Sequence, residues 1–339
     1  MRAHIAQVHA RIGRRGTAAV AALLLVFVAV VATPQLLGHR VETALDTMRT
    51  ADAKLLWLAG VGFAVSLLAA AGSWRCVIRL CGGRLRLTDA CARYGAGSLV
   101  NTFVPARAGD AVRIALFSRA LPNAKRVWTT GGAFALLGAA RAVVLAALVV
   151  CGAAAGVIPV WPLLVAGALI AVGVGAAVAA RHTHAHLFDA FRELGRDRTA
   201  AARVVAWIAL STAGRLVAAS SVAASLGIRS PVAAAVVVLL ALDVSALVPL
   251  GPMNVGVTST AIATALHSQG ASFTHGLAAG IAFHAIETAV GIMFGLASLL
   301  WLAPYSSPAA RRVALLAGAA SWALGIAGAF SATVLAQLV

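Results

Sequence analysis

The sequence predicts an all-α polytopic membrane protein. We expect about seven full transmembrane helices plus two broken or re-entrant helical hairpins of opposite orientation, together forming an inverted repeat. Three observations lead there. Of 339 residues, 61% are hydrophobic and only 11% charged, with a mean hydropathy of +0.94. A soluble globular chain is nearer half apolar and a quarter charged. Several apolar stretches reach the roughly 20 residues that cross a bilayer core. Two more apolar regions are interrupted by Pro, Gly and charged residues. This profile excludes a cytosolic enzyme, a secreted disulfide scaffold and a disordered chain. It also argues against a nucleic-acid partner despite a pI near 11.7, because the basic residues sit in short loops between apolar spans.

Residues 1–16 read as a basic tail containing Arg11, Arg14 and Arg15. The remaining 17–339 read as a single transmembrane domain. The apolar run from Thr17 to Leu37 lacks a convincing small-x-small cleavage site, so it reads as a retained first helix rather than a signal peptide. Further full spans are predicted at 55–74, 127–156, 160–180, 204–226, 273–302 and 312–338. The first broken region, 88–118, is interrupted by Asn101, Pro105, Arg107, Gly109, Asp110 and Arg113. The second, 231–268, is interrupted by Asp243, Pro249, Gly251, Pro252, Asn254 and Gly256. Broken helices persist at membrane depth only where protein or a water-filled cavity satisfies the freed backbone groups. The second region also reads as two ordinary spans joined by a Pro/Gly turn. The 181–203 segment, with Arg192, Glu193, Arg196, Asp197 and Arg198, reads as a cytoplasmic loop or surface-lying helix. Its alternating His182, His184 and His186 read as solvated rather than as metal ligands.

Charge fixes an orientation. If each broken region enters and leaves on one side, then one face holds 21 of the 27 Lys/Arg against five of the ten acids, a net +16. The other face holds Arg40, Arg49, Lys54 and Arg229 against Glu42, Asp46 and Asp52, a net +1. By the positive-inside rule, the N-terminus is expected in the cytoplasm and the C-terminus outside, in a bacterial plasma membrane. The two hairpins then enter from opposite faces. Carriers with broken helices place their substrate site between such elements.

Ionisable groups within spans are costly and therefore functional candidates. Four lie deep: Arg141, Arg215, Asp243 and Glu287. Two cations balance two anions, so mutual pairing is the simplest expectation. It serves either to fix helix register or to line a polar cavity. Gly276, Gly280, His284, Glu287, Gly291 and Gly295 are spaced 4, 4, 3, 4 and 4, one stripe along a helix. Small residues at this spacing let helices approach closely, so His284 and Glu287 should face protein. In the first hairpin, Asp110 is placed to cap a helix starting near Ala111. That N-terminus, with Arg107 and Arg113, suits a phosphate. The alternative is a cytoplasmic loop whose arginines touch lipid phosphates without specificity.

The run N-x3-P-x-R-x-G-D-x2-R, carried by Asn101, Pro105, Arg107, Gly109, Asp110 and Arg113, resembles the signature of the lysylphosphatidylglycerol synthase transmembrane family. This flippase-like group includes the membrane part of the multiple peptide resistance factors. A looser match follows at Pro249–Gly256, where Asn254 stands in place of a usual Gly, and Thr258 and Ser259 in place of an acid. His284 and Glu287 stand in the region where members carry an Arg. The resemblance implies a lipid translocase for an anionic or phosphate-bearing phospholipid or polyprenyl-linked head group. Arg107 and Arg113 would hold phosphate, and Arg141, Arg215, Asp243, Asn254, His284 and Glu287 would line the path, His284 as a proton-linked element. Its expected partners are membrane lipids, a second copy of the chain, or a separate synthase.

No Walker A, HExxH or GxSxG run is present, so no ATP-driven engine, cofactor or metal is expected. Cys76, Cys81, Cys91 and Cys151 form no CxxC pair and read as small packing residues. Two other classes compete: a membrane transferase acting on a lipid-linked substrate through Glu42, Asp46 and Asp52, and a non-transporting partner subunit.

Overall fold

The computed structural model describes residues 51–104, 108–122, 126–154, 156, 167, 189–245, 255–267 and 270–302. Among these residues the fold is all-helical. The elements are α1 (Ala53–Leu80), α2 (Leu87–Phe103), α3 (Ala108–Ser118), α4 (Arg126–Ala154), α5 (Asp189–Arg196), α6 (Arg198–Ser225), α7 (Pro231–Ser245), α8 (Val255–His267) and α9 (Phe273–Leu302). Helices α1, α4, α6 and α9 are long and apolar enough to cross a membrane. The predicted spans 17–37, 160–180 and 312–338 lie outside the described residues, apart from Gly167, and so do the basic tail and the three alternating histidines.

Both predicted breaks fall between paired arms, α2/α3 and α7/α8. The helix lengths repeat. A long helix of 28 residues, arms of 17 and 11, and a long helix of 29 are followed by 28, arms of 15 and 13, and 30. The leading helices of the two halves, α1 and α6, pack antiparallel. The Asp52 amide donates to the Ser225 carbonyl at one end (3.3 Å), and Gly72 lies on the Trp207 ring further along. Between these points Gly62 and Gly214 cross. A Cβ on either would sit 2.6 Å from the other's carbonyl oxygen. Such reciprocity is what a two-fold relation between halves demands. Lipid tails supply no hydrophobic drive to helix association, so close approach at small residues and the 3.0 Å Ser66–Ser211 hydroxyl contact hold this crossing. The halves therefore run in inverted order.

Helix α9 joins the two hairpins. Gly276 meets the Ala263 backbone of α8, and Gly280 meets Ser259. At its other end Gly295 meets Gly95 and Leu99 of α2, and the Trp301 indole donates to Asp89 (2.9 Å). Both arms run antiparallel to α9 on the predicted glycine stripe, so the hairpins approach its middle from opposite ends.

One boundary departs from expectation. The described part of the 181–203 segment is not one loop. Asp189–Arg196 is a short helix whose Ala190, Phe191 and Leu194 pack into the cluster with Trp74 and Val204. Asp197 then caps a helix that starts at Arg198, six residues before the predicted 204. Hydropathy misses that first turn because Arg198 and Arg203 are charged, while the Asp197 cap supplies the acceptors that open a helix. Exposed arginines (Arg79, Arg84, Arg86, Arg119, Arg126, Arg192, Arg196 and Arg198) lie where α1, α3 and α5 end and α2, α4 and α6 begin, at one end of the bundle. None of the four cysteines is in a disulfide among the described residues.

Candidate functional site

The residues singled out from sequence fall into two groups. Pro105, Arg107 and Asn254 lie outside the described residues.

The first group closes the α2–α3 hairpin on itself. Helix α3 begins at Ala108, so Asp110 lies in its first turn and does not cap a helix starting near Ala111. The capping acceptor comes from the preceding arm, where Asn101 Oδ1 accepts the Gly109 amide at 2.7 Å. Asn101 Nδ2 donates to Asp110 Oδ1 (3.2 Å), and Arg113 Nη1 donates to the same oxygen (2.6 Å). Arg113 Nη2 donates to Ser98 Oγ (2.7 Å), and its guanidinium stacks 4.1 Å above the Tyr94 ring. The Arg113 and Asp110 side chains are only 13% and 14% exposed. The spacing is forced at Gly109, since an added Cβ would run into the Gly97 carbonyl and the Asn101 side chain. Tyr94 and Ser98 were not singled out from sequence. Their spacing of four, with Asn101 three further on, places all three on one helical face, and that was the available signal.

The second group brings together all four deep charges. Arg141 of α4 donates to Asp243 Oδ1 at 2.9 Å. Arg215 of α6 lies 3.5 Å from the same oxygen and 3.9 Å from Glu287 Oε1 of α9. The predicted mutual pairing thus occurs as a single chain, Arg141–Asp243–Arg215–Glu287, spanning four helices. Asp243 sits two residues before the end of α7, beside the break of the second hairpin. The chain is not sealed: Arg141 is 44% exposed and Glu287 38%, whereas Arg215 is 15%. Around it, Asp243 Oδ2 and both ring nitrogens of His284 are buried without a hydrogen-bond partner among the described residues. Gly291, one turn beyond Glu287, meets no described atom within 4 Å of where a Cβ would stand. Ser259, buried with its hydroxyl unpartnered against Gly280, was considered only as a departure from the family pattern.

Chemically, this is an amphoteric cluster beside the break of the second hairpin: two guanidinium forks suited to phosphate or carboxylate, two carboxylates and an imidazole. Of the acids considered for a transferase, Asp52 accepts the Lys54 amide (2.8 Å) as the N-cap of α1, while Glu42 and Asp46 lie outside the described residues. Among the described residues no cluster of three or more His, Cys, Asp or Glu could hold a metal.

A comparison with curated proteins found no match. The model of the family described as the lysylphosphatidylglycerol synthase TM region matches residues 17–295, which include every helix described here except the last turns of α9. The Asn101–Arg113 closure and the membrane-length helices α1, α4 and α6 lie wholly within that match, and the chain belongs to the lysylphosphatidylglycerol synthase TM region family.

Proposed function

We propose that this protein is a lipid translocase of a bacterial plasma membrane, carrying an anionic or phosphate-bearing head group past the junction of its two hairpins. The family places the chain among membrane proteins of lipid-related processes. The observation that supports translocation is the unsealed charge chain. A buried ion pair kept only for register is best fully enclosed and fully hydrogen-bonded, because charges removed from water are costly. Here Arg141 and Glu287 remain partly open, and Asp243 keeps one oxygen unpartnered. A head-group phosphate entering this space exchanges places with Asp243 or Glu287 on the arginine forks, so each guanidinium keeps an anion throughout.

In this reading Arg141, Arg215, Asp243, His284 and Glu287 contact the head group. Asn101, Gly109, Asp110 and Arg113 position the first hairpin, and Pro105, Arg107 and Asn254 contribute to head-group binding. The arginine-rich end of the bundle faces the cytoplasm, following the positive-inside bias.

Reconstitution tests this. Purified protein in liposomes should move a labelled anionic phospholipid between leaflets above the protein-free rate, and Arg215→Gln should return it to that rate. Protein-free rates for the unaltered protein across anionic, zwitterionic and polyprenyl-phosphate lipids would sink the reading.

A further inference from the structure

We propose that His284 takes up one proton for each singly charged anionic head group that enters the pocket, making the proton the coupling ion of this carrier. The inference rests on the translocase reading above and deepens it.

The four paired residues sum to zero: Arg141 and Arg215 against Asp243 and Glu287. Adding a phosphodiester leaves the pocket one negative charge out of balance, in a setting where an uncompensated charge is expensive. One proton from water restores neutrality, and His284 is the site for it. His284 lies one turn from Glu287, and both its ring nitrogens are buried and unpartnered. A neutral imidazole has one donor and one acceptor. Protonation makes both nitrogens donors, and the incoming phosphate oxygens supply the acceptors that the empty pocket does not.

The charged and titratable groups around His284 are Glu287 on its own helix, Asp243 on α7, Arg215 on α6 and Arg141 on α4. The helices against α9 bring no other described ionisable group to this level. Helix α8 carries only His267, in its last turn. On α2, Asp89, Cys91, Arg93 and Tyr94 lie towards Phe294–Trp301. On α1, charge is confined to Lys54 with Asp52 at one end and Arg75 with Arg79 at the other. The apolar Phe283–Phe63 contact (centroids 4.8 Å apart) fills the side next to His284.

The sign follows from linkage. The loaded state binds one more proton than the empty one. Affinity for the anion therefore strengthens as pH falls, by up to about tenfold per pH unit for one proton taken up. Titration calorimetry on the purified full chain, run at pH 7.5 in two buffers of different ionisation enthalpy, counts the protons. The probes are sn-glycero-3-phosphoglycerol, with one fixed negative charge, and sn-glycero-3-phosphocholine, a zwitterion. We expect one proton taken up with the first and none with the second. His284→Gln should abolish the uptake and the pH slope. His275→Gln, an exposed histidine bonded to Ser272 at the start of α9, should leave both unchanged. The count on unaltered protein stands even if the His284 variant does not fold. Anion binding without proton uptake overturns this inference and leaves the translocase reading intact. Uptake persisting in His284→Gln moves the proton elsewhere and also overturns it. If neither probe binds and no lipid is moved, both readings fall together.

Discussion

The two hairpins share an architecture and differ in what their polar atoms do. In α2–α3, Asn101, Gly109, Asp110 and Arg113 satisfy one another across the break. In α7–α8, the carboxylate beside the break reaches away from its own hairpin, to Arg141 of α4 and Arg215 of α6. A broken helix needs its freed groups satisfied, but the partners can come from within or from neighbours. Internal partners make a rigid wedge. External partners make a joint with the neighbouring helices.

The largest effect should come from forcing the wedge apart. Gly109→Leu drives a side chain into the Gly97 carbonyl, a backbone neighbour that cannot step aside. It should cost about 3 kcal/mol or more, read as loss of monodisperse protein in detergent. Asp243→Asn tests the other hairpin. It leaves two guanidinium groups short of an anion in a partly open network, costing about 1–2 kcal/mol, and should bring lipid movement down to the protein-free rate. Asn101→Ala orphans the Gly109 amide, for about 1–2 kcal/mol in thermal melts, with lipid movement per folded molecule retained. If instead Asn101→Ala abolishes movement at normal stability, the division between wedge and joint is wrong.

The smallest effect lies outside both hairpins. The Thr199 hydroxyl, then the Ala200 amide, hold the Asp197 carboxyl below the usual carboxylate range. Its folded pKa is depressed, so the cap stabilises above the unfolded pKa near 3.9 and is lost as pH falls through the lower folded value. Asp197→Ala should lower the melting temperature slightly at pH 6, and the gap should close below about pH 4.

Much of this was legible in the sequence because membrane cost makes it so. A charge within an apolar span stands out against its surroundings, and Arg141, Arg215, Asp243 and Glu287 were found that way. The α9 boundaries, 273–302, followed from an uninterrupted apolar run, and its glycine stripe from helical periodicity. Periodicity assigns a face but not the helix opposite. The sharing of Asp243 between two arginines and the crossing of Gly62 with Gly214 depend on how distant segments fold together. Asp110 misled for the same reason. Asp before an apolar run reads as an N-cap, yet Asn101, eight residues upstream of Gly109, folds back to fill that role. The departures from the family pattern at Ser259, His284 and Glu287 cluster on the α8–α9 side, which carries the unpartnered Ser259 hydroxyl and His284 ring nitrogens.

The glycine contacts of α9 also have a mechanical meaning. Both hairpins bear on one helix at backbone distance, at Gly276 and Gly280 for one and at Gly295 for the other, like two carriages on a single rail. With glycine on the α9 side of each contact, no α9 side chain absorbs displacement, and a slip of α9 by one turn, about 5.4 Å, shifts its register against both at once. A change of register against one hairpin is therefore also a change of register against the other.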